Sequence, residues 1–316
     1  PCRVATCVAA ACGFGPAPEG AHCDDGDPCT ASDRCVAGAC SGAGVRNWIH
    51  IFGGDGGRLG AVLPRPLGGA LAAGTTPYNP TTKFDAWLIA TDPDGRQTVN
   101  KTYGKPTHDD VIALARYDNG QVLAGGSGGG SGRLVRLTTS HSVVFDISTS
   151  KGSSSVRAVA VSASGRALAG GMLDLNSKTG DAWAGGFDGQ GKALWTWTRD
   201  IPGRRVAVTR VADAQGGPGG LPADSTALLG YDRLLPASSG ADLYRMWLTT
   251  LDANAKGIWH VELTKDITGA ASGLVAQPDG TFITLIDGPA GLQLQRVDAK
   301  GKIGAFATLP GGLINT

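Results

Sequence analysis

The tripeptide His108-Asp109-Asp110 is the polar cluster of this chain with the strongest case for chemistry. An imidazole beside two carboxylates could serve as a general base or hold a metal ion. The apolar alternating segment 111–116 follows at once, so the tripeptide stands in a loop that enters a predicted strand. A purely structural role for the three side chains is the alternative.

Three further aspartates, Asp85, Asp181 and Asp242, recur at one position of an internal repeat, near the start of a predicted strand. As a set they could form a ring of carboxylates. Residues that recur at one repeat position are usually structural, and we favour the interpretation that they brace the turn before the strand. His50 and His260 recur in the same way beside tryptophans, which favours packing over catalysis.

The glycine-rich segment 125–132 has the composition of a phosphate-binding loop. It lacks the G-K-[ST] ending and no helical pattern follows it, so we expect no phosphate site there. We predict instead a floppy connection between two strands of a hairpin. No serine or cysteine stands in a nucleophile-elbow context, and we assign no catalytic residue and expect no cofactor.

Carboxylates also stand close together near the N-terminus, at Asp24, Asp27 and Asp33. Oxygen ligands of this kind could bind calcium. The segment does not fit an EF-hand, because no glutamate closes the loop. We favour side-chain-to-backbone bonds within turns, and calcium is the alternative.

All seven cysteines lie within the first 40 residues, which indicates a disulfide framework. They are Cys2, Cys7, Cys12, Cys23, Cys29, Cys35 and Cys40. No spacing is the C-x2-C knuckle typical of zinc sites, so zinc is the weaker alternative. Such a module is typical of an oxidising compartment, and we predict a secreted, extracellular or cell-surface protein. We expect at least three disulfides, none beyond residue 44, with the odd cysteine paired upstream or on another chain.

Composition and charge limit the classes of partner. Lys and Arg total 28 against 27 Asp and Glu, so there is no electrostatic case for nucleic acid or for a polybasic membrane contact. No apolar run approaches the roughly 18 residues of a membrane-spanning helix, so no membrane insertion is expected. The 50 glycines and the low charged fraction of 17% indicate a chain built from strands and turns.

The segment 44–316 repeats four strand-like elements in one order. An alternating apolar strand comes first, then a strand ending in glycines, a third strand that often holds tryptophan, and an aromatic-bearing fourth strand. A repeat of roughly 45–60 residues has the size of a propeller blade. We therefore predict an all-β, β-propeller-like array of about five four-stranded blades, preceded by a small disulfide-rich module at 1–43.

The turn between the third and fourth strands has its own signature. Aspartate supplies a local side-chain bond there and glycine supplies a positive φ, which is hairpin chemistry. The pairs are Asp92/Gly95, Asp188/Gly191, Asp252/Gly257 and Asp298/Gly301. The second repeat departs from this signature at 137–142, and we predict a different turn there.

Two resemblances extend this account. Residues 23–42 resemble the C-D-D-G-x-x-C-T-x-x-D-x-C-x-x-G-x-C-x-G modules of secreted bacterial surface proteins, and 2–22 look like the tail of a preceding copy. That resemblance implies an extracellular stalk or spacer. The repeats resemble secreted bacterial propellers in which a strand ending in L-x-G-G precedes a tryptophan strand and a D-x-x-G turn. Those degenerate motifs imply a fold and no particular activity.

The repeats also predict where the tryptophans lie and how the ring closes. Third strands should hold Trp87, Trp183 and Trp247, and outer strands Trp48, Trp195, Trp197 and Trp259, mostly buried between blades. Two segments, 48–52 and 305–309, compete as outer strand of the last blade. The first contains stronger β-formers, so we predict that it pairs with 292–297 and displaces the C-terminal segment.

These observations together predict a non-enzymatic extracellular binding or structural protein, such as a cell-surface adhesion, matrix or appendage component. Its partners would be other protein subunits or surface glycans. The alternative is a secreted carbohydrate-active hydrolase or lyase that uses carboxylates at the central opening of the propeller. Convergent carboxylates in that opening would favour the enzyme, whereas apolar first-strand residues would favour the binding protein.

Overall fold

The structure is a computed structural model, and the part of the chain that it describes is built from strands. It describes residues 2–8, 11–23, 30–44, 52, 56–66, 68–81, 83–104, 108–149, 153–174, 179–214, 221–234, 243–264, 273–288 and 291–308. These residues form 24 strands and contain no helix. A search of them finds no helix that could span a membrane. The chain divides into two compact units, 1–51 with 93–96, and 52–92 with 97–316.

Two short hairpins and two disulfides make up the described part of the N-terminal unit. Strand β1 (Arg3–Val8) pairs with β2 (Ala11–Pro16), and β3 (Thr30–Val36) pairs with β4 (Ala39–Gly44). Disulfides join Cys2 to Cys35 and Cys23 to Cys40, with Cα atoms 5.4 and 5.9 Å apart. The predicted disulfide framework is confirmed by these two bonds. The side chains of Cys7 and Cys12, and all of Cys29, lie outside the described residues, so a third bond stays a prediction.

The two disulfides lie next to each other. The Sγ atoms of Cys2, Cys23 and Cys40 are all within 4.8 Å of one another, a spacing that three zinc ligands could also show. Zinc binds thiolates, however, and a sulfur in a disulfide is not one. The three sulfurs therefore belong to two adjacent disulfides, and none of the four described cysteines offers a thiolate to zinc.

Five four-stranded antiparallel sheets follow, each a meander in chain order. Sheet one is β5 (Arg58–Pro64), β6 (Ala70–Thr75), β7 (Ala86–Thr91) and β8 (Gln97–Tyr103). Sheet two is β9 (Asp109–Arg116), β10 (Val122–Gly128), β11 (Ser131–Leu137) and β12 (Val143–Ser148). Sheet three is β13 (Ser154–Val161), β14 (Ala167–Leu173), β15 (Ala182–Phe187) and β16 (Ala193–Arg199). Sheet four is β17 (Arg204–Ala214), β18 (Ser225–Leu234), β19 (Leu243–Leu251) and β20 (Gly257–Glu262). Sheet five is β21 (Gly273–Ala276), β22 (Phe282–Gly288), β23 (Gly291–Val297) and β24 (Ile303–Thr308).

The core of this unit lies between successive sheets. Among the described residues the buried apolar side chains form four clusters, each mainly between one sheet and the next. The first strands pack against one another in series, β5 on β9, β9 on β13, β13 on β17 and β17 on β21. They therefore form the inner side of the array. The predicted β-propeller-like array of five blades is confirmed.

The third strands hold the large aromatic residues of the core. Trp87, Trp183 and Trp247 are 6, 3 and 1% exposed, so each removes a large apolar surface from water, as predicted. Trp195 and Trp259 lie on the outer strands β16 and β20, the first buried and the second half-buried. Trp197 is likewise half-buried on β16, and Trp48 lies outside the described residues.

A bulge explains the glycine that each of the first four second strands contains. In the first four sheets the first strand carries one extra residue, which shifts its register against the second strand. At each bulge a Cβ on the facing glycine would overlap a carbonyl oxygen of the first strand. The pairs are Gly74 with Arg58, Gly126 with Asp110, Gly171 with Ser155 and Gly230 with Ala207. The L-x-G-G pattern is therefore a packing requirement.

The turns between third and fourth strands share one geometry. The Asp188 carboxylate accepts N–H bonds from Gln190 and Lys192 at 2.8 and 2.9 Å, and Gly191 has a φ of 82°. Asp298 makes the same pair of bonds, to Lys300 and Lys302. Around Asp252, the positive φ belongs to Ala255 at 64°, and the predicted Gly257 instead begins β20.

The second sheet does not have the different turn that we predicted. Thr138 takes the place of the aspartate, and its Oγ1 accepts the Ser142 N–H at 3.0 Å. His141 takes the place of the glycine, with a φ of 62°. The backbone bonds from Thr138 N–H to Ser142 O and from His141 N–H to Thr138 O match those of the other turns. The prediction was wrong because the backbone bonds, and not the residue types, set this turn.

Two other expectations are corrected. Most of segment 125–132 belongs to β10 and β11, and a tight two-residue turn, Gly129-Gly130, joins them with positive φ at both positions. It is a hairpin as predicted, but it is not a floppy one. In sheet five, β24 (Ile303–Thr308) pairs with β23 as an ordinary outer strand, so displacement of the C-terminal segment is wrong. A five-residue turn joins these strands, and so short a loop outweighs a difference in β-propensity.

Candidate functional site

A hollow of about 600 Å³ lies at one end of sheets one and two. The starts of β5 and β9 and the loop 76–85 form its walls. Its described lining is Gly56, Arg58, Leu59, Gly60, Gly74, Thr75, Tyr78, Phe84, His108, Asp110, Val111 and Ile112. This volume and mixture of apolar, aromatic and polar groups are typical of ligand sites. We call it the aromatic hollow.

Three rings that contact one another in series, each tilted against the next, form one wall of the aromatic hollow. The Tyr78 and Phe84 centroids are 5.3 Å apart, and the Phe84 and His108 centroids are 4.7 Å apart. Tyr78 is 55% exposed, an unusual position for a large ring with no evident packing need. Lys83 Nζ lies 5.7 Å from the Tyr78 centroid, so a cation lies over the same ring.

The loop 76–85 holds these rings through short-range bonds. Asn79 and Lys83 exchange backbone bonds of 2.7 and 2.6 Å, and Lys83 has a φ of 67°. At the base of the loop, the Thr76 Oγ1 accepts the Asp85 N–H at 3.0 Å. Phe84 is tied to sheet two because its carbonyl accepts the Asp109 N–H at 2.7 Å. The ring wall is thus positioned before any ligand arrives.

The fold separates Asp109 from the other two residues of the predicted cluster His108-Asp109-Asp110. His108 faces the aromatic hollow, and Asp110 also lines it while accepting bonds from Ser127 N and Oγ. Asp109 is 2% exposed and its carboxylate is 3.2 Å from Arg133 Nη1. The three side chains therefore do not act together as a base or a metal site.

Asp109 belongs to an ion network beside a second hollow of about 310 Å³. Arg133 lies between Asp109 and Asp146, and its Nε donates to Asp146 at 2.8 Å. The bond to Asp146 raises the pKa of the Arg133 guanidinium. Cβ atoms on Gly104 and Gly128 would collide with the Asp109 carboxylate, so the backbone makes room for it. Removing one partner from such a buried pair is costly, which marks the network as structural.

The recurrent aspartates brace loops where they are described. Asp85 exchanges bonds with Thr76, and the Asp181 carbonyl accepts the Leu173 N–H at 2.8 Å. Partial burial, together with the neighbouring Asp200, raises the pKa of Asp181. Asp242 lies outside the described residues, as do Asp24, Asp27 and His50. Asp33 is described, and its carbonyl accepts the Cys23 N–H, so calcium binding by these aspartates stays a prediction.

His260 has a packing environment, as predicted. Its ring nitrogens lie 2.9 and 3.2 Å from Arg199 Nη1, and its ring centroid is 6.0 Å from that of Trp247. Arg199 also stacks over Trp247 at 5.0 Å. The imidazole thus packs on Arg199 and Trp247 at an exposed position, and it lines neither hollow.

The residues on the inner strands distinguish between the two predicted functions, the binding protein and the carbohydrate-active enzyme. Their most exposed large apolar side chains are Leu59, Val62, Ile112 and Val275. In the described first strands, the acidic residues Asp109, Asp110 and Asp213 each accept a bond from a neighbouring protein group. Asp213 also lies at the opposite end of its strand from the other two. The described inner side therefore combines apolar residues with arginines such as Arg58 and Arg210, and its carboxylates do not converge. The lack of convergent carboxylates among these described strands favours the binding protein.

Sequence reasoning missed Tyr78 and Phe84. The signal was present in the segment TTPYNPTTKF, where two aromatic residues stand in a loop rich in proline, asparagine and threonine. Such a loop cannot bury both rings in a strand-based core, so at least one must face a surface.

Comparison with known proteins finds only distant structural likenesses. No family model matches the chain, and no curated protein matches it. The β-propeller domain of the Trilobed protease from Pyrococcus furiosus is 7% identical, with a TM-score of 0.38 over 83% of this chain and 85% of that one. A glucose dehydrogenase is 17% identical, with a TM-score of 0.44 over 82% and 87%. The Synechocystis apocarotenoid oxygenase is 13% identical, with a TM-score of 0.45 over 88% and 67%. At such values these likenesses carry no argument about this chain.

Proposed function

We propose that this protein is a non-enzymatic extracellular binding protein whose contact surface is the aromatic hollow. The observation that carries the proposal is the hollow itself, with about 600 Å³ of space beside an exposed tyrosine and a pre-set wall of three rings. The disulfides are consistent with an oxidising compartment. In this account the N-terminal unit serves as a spacer in a cell-surface adhesion, matrix or appendage component.

The chemistry of the hollow favours a surface glycan over a protein subunit as its ligand. The apolar face of a sugar ring can stack on Tyr78, which offers a large flat surface with little entropy to lose. His108, Thr75 and Arg58 supply hydrogen-bonding groups around that face. A mostly apolar site with a few placed polar groups is also what gives a small ligand its orientation.

A binding screen with a parallel cleavage assay tests the proposal. The protein is applied to an array of neutral and acidic glycans and to matrix proteins, and each ligand that binds is then assayed for released sugar ends. We expect binding without turnover, and a loss of about tenfold or more in Tyr78→Ala because central aromatic residues dominate such contacts. Turnover of a bound glycan would support the hydrolase or lyase instead.

The matched control is Phe14→Ala. Phe14 is also an exposed aromatic residue, at 71%, but it lies in the disulfide-rich unit. Its loss should leave affinity unchanged. Equal losses in the two variants would mean that general stickiness, and not the hollow, explains the binding.

A further inference from the structure

A second hollow, of about 300 Å³, lies at the opposite end of sheets one and two. β9 starts at the aromatic hollow with Asp110 and ends at this one with Arg116. The polar wall consists of Arg65, Arg116, Thr139 and His141, and Leu71 is among the apolar residues beneath them. None of the described residues that line it is acidic. We call it the basic hollow.

Protein bonds fix both arginines in place. Arg65 Nη1 donates to Thr91 O at 2.7 Å and to Thr98 Oγ1 at 3.3 Å. Arg116 Nη2 donates to Pro64 O. These bonds involve one nitrogen of each guanidinium, and a guanidinium has five N–H donors in a rigid fork. Neither arginine forms an ion pair with a carboxylate among the described residues.

His141 completes the wall from the turn of sheet two. Its carbonyl accepts the Tyr103 hydroxyl at 2.7 Å, and Lys101 Nζ lies 3.4 Å from the same oxygen. Sheet one therefore holds the turn in position. Burial and the charges of Lys101 and Arg65 lower the pKa of the imidazole, which shows that the surroundings of this side chain are positive.

We propose that the basic hollow binds an oxyanion, namely a carboxylate, sulfate or phosphate group. The planar fork of a guanidinium can donate to two oxygens of a carboxylate, sulfate or phosphate at once, and its bonds to an ionised acceptor are strong ones. The volume suits one small solute or one acidic substituent of a larger ligand. The anion enters a site whose cationic side chains are already placed, so little ordering cost opposes binding.

Calorimetric titration at low ionic strength tests this site. The probes are inorganic sulfate, inorganic phosphate, acetate and glucuronate, with glucose as the neutral control. We expect saturable binding of at least one oxyanion and none of glucose. Binding of inorganic ions would identify a free anion as the source, whereas binding of glucuronate alone would identify an acidic sugar. No binding of any of the four anions would overturn the proposal.

Charge-matched variants locate the binding. Arg65→Gln and Arg116→Gln should each weaken the best anion at least about tenfold, because a charge-assisted bond is lost. Arg296→Gln removes the same charge from an exposed arginine that pairs with Asp279 in sheet five, and it should change affinity less than about twofold. If all three variants weaken anion affinity equally, the binding reflects the overall charge of the protein, and the proposed site is wrong.

His141→Gly separates binding from folding. Gly191 and Gly301 occupy the same place in other turns, so this variant should raise the midpoint of thermal unfolding. Anion affinity should nevertheless fall, because one wall of the hollow is removed. A more stable variant with unchanged affinity would contradict a role for His141. Tyr78→Ala should leave anion affinity unchanged. Failure of the basic hollow to bind anions can therefore be distinguished from failure of the aromatic hollow to bind a glycan.

Discussion

At the scale of single residues, backbone strain occurs in the turns between third and fourth strands, which hold two of the six described non-glycine residues with a positive φ. Glycine occupies the positive-φ position at Gly191 and Gly301, but His141 and Ala255 occupy it in sheets two and four. A side chain in this region costs roughly 1–2 kcal/mol, so these turns persist because their backbone and capping bonds enforce them. Ala255 lines none of the described hollows, so its strained conformation does not place a side chain in a binding site.

Replacing Ala255 with glycine should therefore stabilise the protein. We expect Ala255→Gly to raise the free energy of unfolding by up to about 0.5 kcal/mol. This is the relief of strain, less the entropy that glycine adds to the unfolded chain and less the loss of a half-buried methyl group that packs against the cluster of Trp195 and Trp247. Urea denaturation measures this. The control is Ala253→Gly, two residues earlier and without a positive φ, which should lose about 0.5–1 kcal/mol. A loss in both variants would show that Ala255 is not strained.

The imidazole of His141 makes stability depend on pH. Its pKa is lowered in the folded state by burial and by the cations Lys101 and Arg65, and Arg116 also lines its hollow. The unfolded chain, with an ordinary histidine pKa of about 6.5, then binds protons more readily than the folded one. The contribution of His141 to stability is present above that pH and is lost as the pH falls through the folded pKa.

The variant His141→Gln keeps a side chain in the turn but removes its titration. Between pH 7.5 and pH 5, the free energy of unfolding of the unmodified protein should fall more than that of His141→Gln. Denaturation at both pH values in each protein gives the difference. Parallel losses would mean that His141 titrates alike in the folded and unfolded chains.

At the scale of elements, the bulge between first and second strands is the feature that the first four blades repeat. It brings a first-strand carbonyl so close that only glycine fits opposite, as at Gly171 against Ser155. The same glycine lets the indole of Trp183 pack, since a Cβ there would also lie 3.1 Å from its Nε1. Bulge, glycine and tryptophan therefore form one packing unit.

A single methyl group at Gly171 should break that unit. We expect Gly171→Ala to cost about 1–3 kcal/mol or more, as overpacking of a filled core does. Gly257→Ala is the control, because a Cβ there meets nothing within 4 Å and its φ is not positive. It should stay within about 0.5 kcal/mol of the unmodified protein. Equal tolerance of both changes, measured by thermal unfolding, would refute the packing argument.

Much of the element order could be predicted from the sequence, and the site could not. Period-two strands and buried tryptophans such as Trp183 follow from local patterns that the fold keeps. The turn at His141 could not be predicted, because backbone bonds can hold a residue in a conformation that its type disfavours. The position of β24 depends on chain connectivity, which propensity ignores. The aromatic hollow depends on Tyr78 and His108, which only the packing of two sheets brings together.

At the scale of the whole molecule, the cysteines divide the chain. Both described disulfides lie in the unit 1–51 with 93–96, whereas residues 41–316 contain no cysteine. A unit this small has little apolar core, so its stability depends on its cross-links. The repeat unit depends on its inter-blade clusters instead.

Reduction should therefore act on one unit alone. Each lost disulfide removes about 2–5 kcal/mol, enough to unfold the N-terminal unit. The five sheets should keep their amide protection in hydrogen exchange, read peptide by peptide with and without reductant. Loss of protection across β13–β20 on reduction would show that the repeats need the N-terminal unit to fold.

The central claim is that a ligand is bound in the aromatic hollow, at the starts of β5 and β9, and not on the first strands of sheets four and five. Amide NMR of the protein titrated with the best glycan from the array tests it most directly. The account predicts shift changes confined to 58–60, 74–78 and 108–112, with none along 204–214 or 273–276. Changes concentrated on those inner strands, and absent around Tyr78 and His108, would contradict it and place the ligand in the central opening.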